Sequence, residues 1–212
     1  RNLDGTWTFA VIGKPEARKN YEALISAYSA AFDAGEDVVL RILATGNAAG
    51  LPALRRLLDE HGGPRAARVE VMSNPCPEAG ILELLRGADV FVLPTHGEGW
   101  GLPIVEAMAC GCYVITTDWS AMRDYCTREN SLLLDCRMTA ADCPTFGAFF
   151  RGSRWAEPDR DQLVEFLRWT YRNREAARAI GMRASEDVRS HWTWRDAAIK
   201  AAKCLGIEVA AH

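Results

Sequence analysis

The 212 residues are enough for one substantial core. Apolar residues make up 49% of them and charged residues 25%, the balance expected of a soluble globular domain. No apolar run approaches the roughly 18 residues that a membrane helix needs, and a formal net charge of -3 offers no basic surface for nucleic acid.

The chain begins at Arg1 and enters a strand-like segment almost at once, so it is expected to be a piece excised from a longer protein. Trp7 to Ile12, in WTFAVIG, forms a short apolar, β-rich run ended by Gly13 and predicts a buried strand. After the polar GKPEARKN, the residues Tyr21, Leu24, Ile25, Tyr28, Ala31 and Phe32 recur at helical spacing. The alternation then repeats. VVLRILAT predicts a strand, LPALRRLLDEHG a helix closed by glycine, RVEVM a strand, Ala79 to Arg86 a helix and VFVLP a strand. A helix from about Pro103 to Ala109 and the strand YVITT complete the series.

Apolar strands separated by helices indicate a parallel sheet covered on both faces and wound right-handed, an open Rossmann-like α/β sandwich. Ligands in such folds bind beyond the carboxyl ends of the strands. That rule puts GKPEARK, SNPCPEAG and THGEGWG along one rim. From Cys136 to Glu157 the pattern lapses into a long irregular segment, where Phe146, Phe149, Phe150 and Trp155 are expected to tie it onto the body. Asp159 to Arg172, Glu175 to His191 and Thr193 to Leu205 then predict three helices. The organisation expected is a single domain over 1–212, with an α/β core to about residue 157 and a helical tail from 158 onward.

Seven cysteines, an odd number without tight pairing, suit a reducing cytoplasm better than a disulfide framework. Cys110 and Cys112 are spaced too closely for a zinc knuckle and no second pair follows, so no metal site is expected and small buried side chains are preferred. Asp159-Arg160-Asp161 follows Pro158 at a helix start and is a cap, not a metal motif. The four histidines form no i, i+4 pair. Neither a nucleophile elbow nor a phosphate-binding Walker loop occurs.

The chemistry concentrates in GEGWGLPIVEAMACG. Gly97, Gly99 and Gly101 lie between a strand and a helix start, where unpaired N–H groups and the helix dipole suit an anion and glycine permits close approach. Pro103 fits the first turn because the N–H it lacks would have no helical partner. Glu98 in the loop and Glu106 in the helix can each accept two hydroxyl hydrogen bonds, as a ribose or hexose diol would offer. Amides for phosphate and carboxylates for sugar hydroxyls together describe a nucleotide-sugar site. Each feature also has a plainer explanation. Arg18 and Lys19 could be solvated residues at a helix start, Glu106 a carboxylate favoured by the helix dipole, and His96 an ordinary loop histidine. Glu98, between two glycines, supports no local structure.

The run HGEGWGLPIVEAMACGCYVI resembles the E-x7-E signature of family 4 glycosyltransferases, in the carboxyl-terminal donor-binding domain of their GT-B fold. GKPEARKN is similar to that family's first-strand loop, and WAEPDRDQLVEFLRWTYRNREAARAIG followed by HWTWRDA resembles the helical tail of bacterial members. The resemblance implies retaining, metal-independent transfer of a hexose from a nucleoside diphosphate sugar such as UDP- or GDP-hexose, with no cofactor. It implies that Lys14 and Lys19, with Arg18, neutralise the diphosphate beside Gly13. Glu98 would face the donor sugar and, with Lys14 and Lys19, form the catalytic set. The backbones of Gly99, Trp100, Gly101 and Leu102 would line the phosphates and sugar, Glu106 would hold the ribose and Asn74 would lie near the base. The partner implied is an amino-terminal acceptor-binding half, which this chain lacks and through which a cytoplasmic enzyme could sit peripherally on a membrane. Tyr113 in place of a usual proline, His96 in place of a serine or arginine, where it could touch a donor phosphate, and Asp124 in place of a glutamate depart from the family pattern. The rivals are a non-catalytic nucleotide-sugar-binding or scaffold module and a sugar-nucleotide epimerase of the same fold.

Overall fold

The computed structural model describes residues 5–46, 50–73, 76–141 and 150–207. Six parallel strands form one sheet in the order β3-β2-β1-β4-β5-β6: β1 Trp7–Gly13, β2 Val38–Ala44, β3 Arg68–Ser73, β4 Val90–Leu93, β5 Tyr113–Thr117 and β6 Ser131–Leu134. In β1, β4 and β5 every residue is buried, because central strands between two helical layers have no solvent face. The edge strand β3 differs from the apolar strand expected, with Val71 and Met72 exposed. An edge strand has a neighbour on one side only.

Helices α1 Tyr21–Ala31, α2 Leu51–His61, α3 Glu78–Gly87 and α4 Leu102–Ala109 alternate with the strands, and α5 Arg160–Arg172, α6 Arg174–His191 and α7 Trp194–Cys204 form the tail. α1 packs against α2 and α5, while α4 packs against α3 and α6. Phe9 from β1 meets Tyr28 of α1 and Phe32 just beyond its end, with ring centroids 5.9 and 5.5 Å away, and Phe32 meets Tyr171 of α5 at 5.4 Å. One aromatic stack therefore joins the tail to the sheet. Asp159 caps α5 as expected, its carboxylate accepting from the Gln162 N–H at 2.9 Å.

The segment expected to be irregular is a correction to the sequence-based picture. β7 Cys136–Ala140 and β8 Arg154–Pro158 pair antiparallel, with Cys136 opposite Pro158 and Ala140 opposite Arg154. CRMTA and RWAEP carry too few apolar residues to announce strands. Phe150 and Trp155 do lie together, with ring centroids 6.1 Å apart, whereas Phe146 and Phe149 fall outside the described residues. Strand β6 was also not foreseen, because the four residues SLLL are too short for a period to show.

The strand order fixes the position of the site. From β1 the chain winds outward to β3 and then returns to place β4 on the other side of β1. Loops leaving β1 and β4 thus diverge in opposite directions and leave a crevice at the carboxyl ends, the topological switch point of such sheets.

Candidate functional site

The two loops beside that crevice are Lys14–Asn20, after β1, and Pro94–Gly101, after β4. The first tightens into a 3-10 turn, Ala17–Lys19, and ends at Asn20 with a φ of 55°. Asparagine tolerates this left-handed conformation, and the Asn20 side chain caps α1 by accepting from the Ala23 N–H at 3.3 Å. The turn aims Arg18 and Lys19 across the crevice at the second loop.

There, Glu98 is the meeting point. Its Oε1 lies 2.7 Å from Lys19 Nζ, 2.9 Å from Arg18 Nη1 and 3.1 Å from Thr95 Oγ1. Arg18 also donates to the Gly97 carbonyl at 2.7 Å. The Glu98 and Lys19 side chains are each only 8% exposed, so this ion pair is screened weakly by solvent. Among the described residues Glu98 Oε2 has no partner. One carboxylate oxygen is therefore anchored and the other remains an acceptor. Arg18 also meets the Glu16 carboxylate at 3.9 Å, so Arg18 and Lys19 are balanced by Glu16 and Glu98, and it is Lys14, exposed with its stem over Gly46 and without an ion pair among the described residues, that tips the charge. The crevice is positive overall.

The β4–α4 loop presents its amides to the same space. The N–H groups of Gly99, Trp100, Gly101 and Leu102 form no hydrogen bond among the described residues. Such unpaired amides at a helix start form an anion cradle. Gly101 holds the bend at φ 82°, and a Cβ there would lie 2.7 Å from Tyr125 Oη, so no larger residue fits. Tyr125 fixes the loop by donating to the Trp100 carbonyl at 2.7 Å, and Ser120 donates to the Glu98 carbonyl at 2.5 Å.

Glu106 stands apart from this cluster. It lies on α4 and lines a cavity of about 590 Å³ with Trp100, Leu102, Val105, Trp192 and Lys200, between α4 and the corner joining α6 to α7. Desolvation, and secondarily the charge of Glu78 at the start of α3, push its carboxyl above the ordinary range.

His96 is a scaffold residue in this arrangement. It is 7% exposed, stacks on Trp155 at 4.0 Å and meets Glu157 at 2.8 Å through Nε2. Asn20 also reaches Glu157, at 3.4 Å, so the β7–β8 hairpin braces both loops.

The fold thus gathers Gly13, Lys14, Arg18, Lys19, Glu98, Gly99, Trp100, Gly101 and Leu102 around one crevice, whereas Glu106 lines the cavity between α4 and the α6–α7 corner; Asn74 lies outside the described residues. Thr95, Ser120, Tyr125 and Glu157 escaped sequence reasoning. Only the position of Thr95 directly before the glycine loop offered a signal. The other three act through contacts 22 to 137 residues apart in sequence.

The family model described as Glycosyl transferases group 1 matches residues 7–142. A D-inositol 3-phosphate glycosyltransferase of Corynebacterium glutamicum is 31% identical over 114 residues, which are 52% of this chain and 27% of that relative. Among solved structures, HepE of Anabaena in complex with UDP and glucose superposes with a TM-score of 0.72 at 15% identity, over 95% of this chain and 48% of that one. The carboxyl-terminal domain of LpcC from Francisella tularensis, a group 1 family protein, superposes at 0.70 and 19% identity, over 89% of this chain and 87% of that domain. These structural likenesses establish the fold. The chain corresponds to 27% of the first relative and to about half of the first structure.

Proposed function

Because the chain belongs to the group 1 glycosyl transferases, we propose that it is the donor-binding half of an enzyme that moves a hexose from a nucleoside diphosphate sugar to an acceptor with retention. The acceptor pocket is assigned to an amino-terminal half of the parent protein, in keeping with the share of each relative that this chain matches. By itself the chain binds donor and transfers nothing, since transfer needs both reactants held together.

The observation that carries this reading is the convergence at the switch point of four amides, the Lys14 ammonium and Glu98 Oε2, none with a partner among the described residues. The first two suit a diphosphate and the third a sugar hydroxyl. In the proposed division of roles the amides of Gly99 to Leu102 and the Lys14 ammonium take the phosphates. Lys19 and Arg18, already beside Glu98, share their remaining donors between phosphate and carboxylate. As the bond from sugar to diphosphate breaks, negative charge grows on the leaving phosphate. Fixed cations and amides stabilise that charge without reorganising, which is the largest source of catalysis such a site can supply. Protein cations meet the need that a metal serves elsewhere, so no cofactor is assigned. Glu106 receives the ribose diol, where a neutral hydroxyl partner offsets the desolvation that its carboxylate suffers.

A thermal-shift screen with UDP, GDP and ADP and their hexose derivatives tests the reading. One base at about ten times its Kd should raise the midpoint by roughly 3–6 °C, and Lys14→Ala should diminish the rise. The absence of any shift at millimolar concentration would contradict donor binding.

A further inference from the structure

We propose that Trp119 is a specificity-determining wall of the donor subsite, an indole platform against which the sugar ring of the nucleotide sugar packs; the inference rests on the donor-domain reading above. Trp119 comes two residues after β5, on the same carboxyl rim as Glu98. The following residue, Ser120, holds a φ of 67°, a left-handed conformation that a non-glycine residue adopts only at a cost. The Ser120 hydroxyl secures the turn on the Glu98 carbonyl at 2.5 Å. In consequence the indole lies beside the Glu98 loop. A Cβ built on Gly97 would stand 3.8 Å from Trp119 Cδ1 and 3.9 Å from Nε1.

Apart from this flank on Gly97, the indole stacks on no other ring among the described residues. Trp7 lies beneath Arg174 and Arg178, Trp100 packs with Tyr125 and Trp192, and Trp155 covers His96. Among the described residues Trp119 makes no ring contact and its indole N–H has no acceptor, and the residue is 36% exposed. Next along the loop, a Cβ on Gly99 would meet nothing within 4 Å, so there is space over the rim.

A hexose is amphipathic in the way this site is. Its C–H face packs on an aromatic ring, gaining buried apolar area and the attraction of weakly positive hydrogens to the π face. Its hydroxyl edge needs acceptors, which Glu98 Oε2 provides. The charge-free indole adds nothing for the diphosphate. Trp119 should therefore discriminate between sugars by the shape of the C–H face, while the phosphate site binds every donor alike.

The test is calorimetric titration of the 212-residue chain, and of Trp119→Ala and Trp119→Phe, with UDP and UDP-glucose, GDP and GDP-mannose, and ADP and ADP-glucose. For the base that binds, Trp119→Ala should weaken the nucleotide sugar roughly three- to ten-fold and leave the bare diphosphate within about two-fold. Trp119→Phe should restore most of the loss. Diphosphate affinity serves as the internal check that each variant is folded. An unchanged ratio of the two affinities in Trp119→Ala, or equal weakening of both ligands, overturns the proposal. Wild-type chain that binds no nucleotide at all would instead contradict the donor-domain reading, and this inference with it.

Discussion

Glu106 combines an unfavourable environment with a proposed binding role, so stability and function should pull apart there. Desolvation first and Glu78 second raise its carboxyl above the ordinary value of 4.5. An acid raised on folding supports the folded state fully below its unfolded value, and that support is lost as the pH climbs through the folded value. At neutral pH the ionised side chain therefore counts against the fold. Glu106→Gln should raise the unfolding midpoint at pH 7.5 by about 1–2 °C. The gain should fade as the pH falls toward 4.5, where wild type becomes neutral too. The same variant should bind nucleotide more weakly. A lowered midpoint at pH 7.5 would show that the carboxylate is structural. Individual residues were partly legible in advance. Glu98 stood out because glutamate between two glycines supports no local structure, but its pairing with Lys19 spans 79 residues and follows only from the adjacency of β1 and β4. Ser120 carried no mark at all, since a left-handed serine looks like any other serine in a sequence.

The elements most legible in the sequence were those whose periodicity matched their burial, such as β1, β2, β4 and β5, all apolar, and α1 with its helical stripe. β7 and β8 were not legible, because a partly exposed hairpin of Arg, Thr and Pro has neither period. The tail was visible as helices, but not the way α6 presses on the body. Arg178 of α6 donates to Asp89 at 2.9 Å, and that buried carboxylate also accepts from the Thr8 N–H of β1 at 3.1 Å. A Cβ on Gly181 of α6 would come within 2.5 Å of the Gly111 carbonyl oxygen and 2.9 Å of the Tyr113 nitrogen. Both are backbone atoms, which cannot turn aside as a side chain would. Gly181→Ala should therefore cost about 1–3 kcal/mol and lower the midpoint by roughly 3–10 °C in thermal unfolding followed by circular dichroism. Gly99→Ala, which meets open space, should leave the midpoint within about 1 °C. Equal midpoints for the two variants would mean that α6 is not held this closely.

At the scale of the whole molecule, the sheet order β3-β2-β1-β4-β5-β6 brings two loops, distant in sequence, to one crevice whose cations, amides and acids each have a counterpart in a nucleotide sugar. In the proposed reading this chain supplies one wall of a transfer site, so donor binding should be weak, with a Kd on the order of 10 μM to 1 mM. No helix among the described residues is long and apolar enough to cross a membrane. The most direct test is calorimetric titration of nucleoside diphosphate and nucleotide sugar into wild type, Glu98→Ala and Glu106→Ala, each with and without EDTA. Glu106→Ala should weaken both ligands by roughly 1–3 kcal/mol, the range for a lost charged hydrogen bond. Glu98→Ala should remove the extra affinity due to the sugar, and leave the bare diphosphate unchanged or slightly tighter, because Lys19 and Arg18 are released toward phosphate. EDTA should alter none of these affinities. No heat with any nucleotide at millimolar concentration, or equal loss of bare diphosphate binding in both variants, would contradict the account.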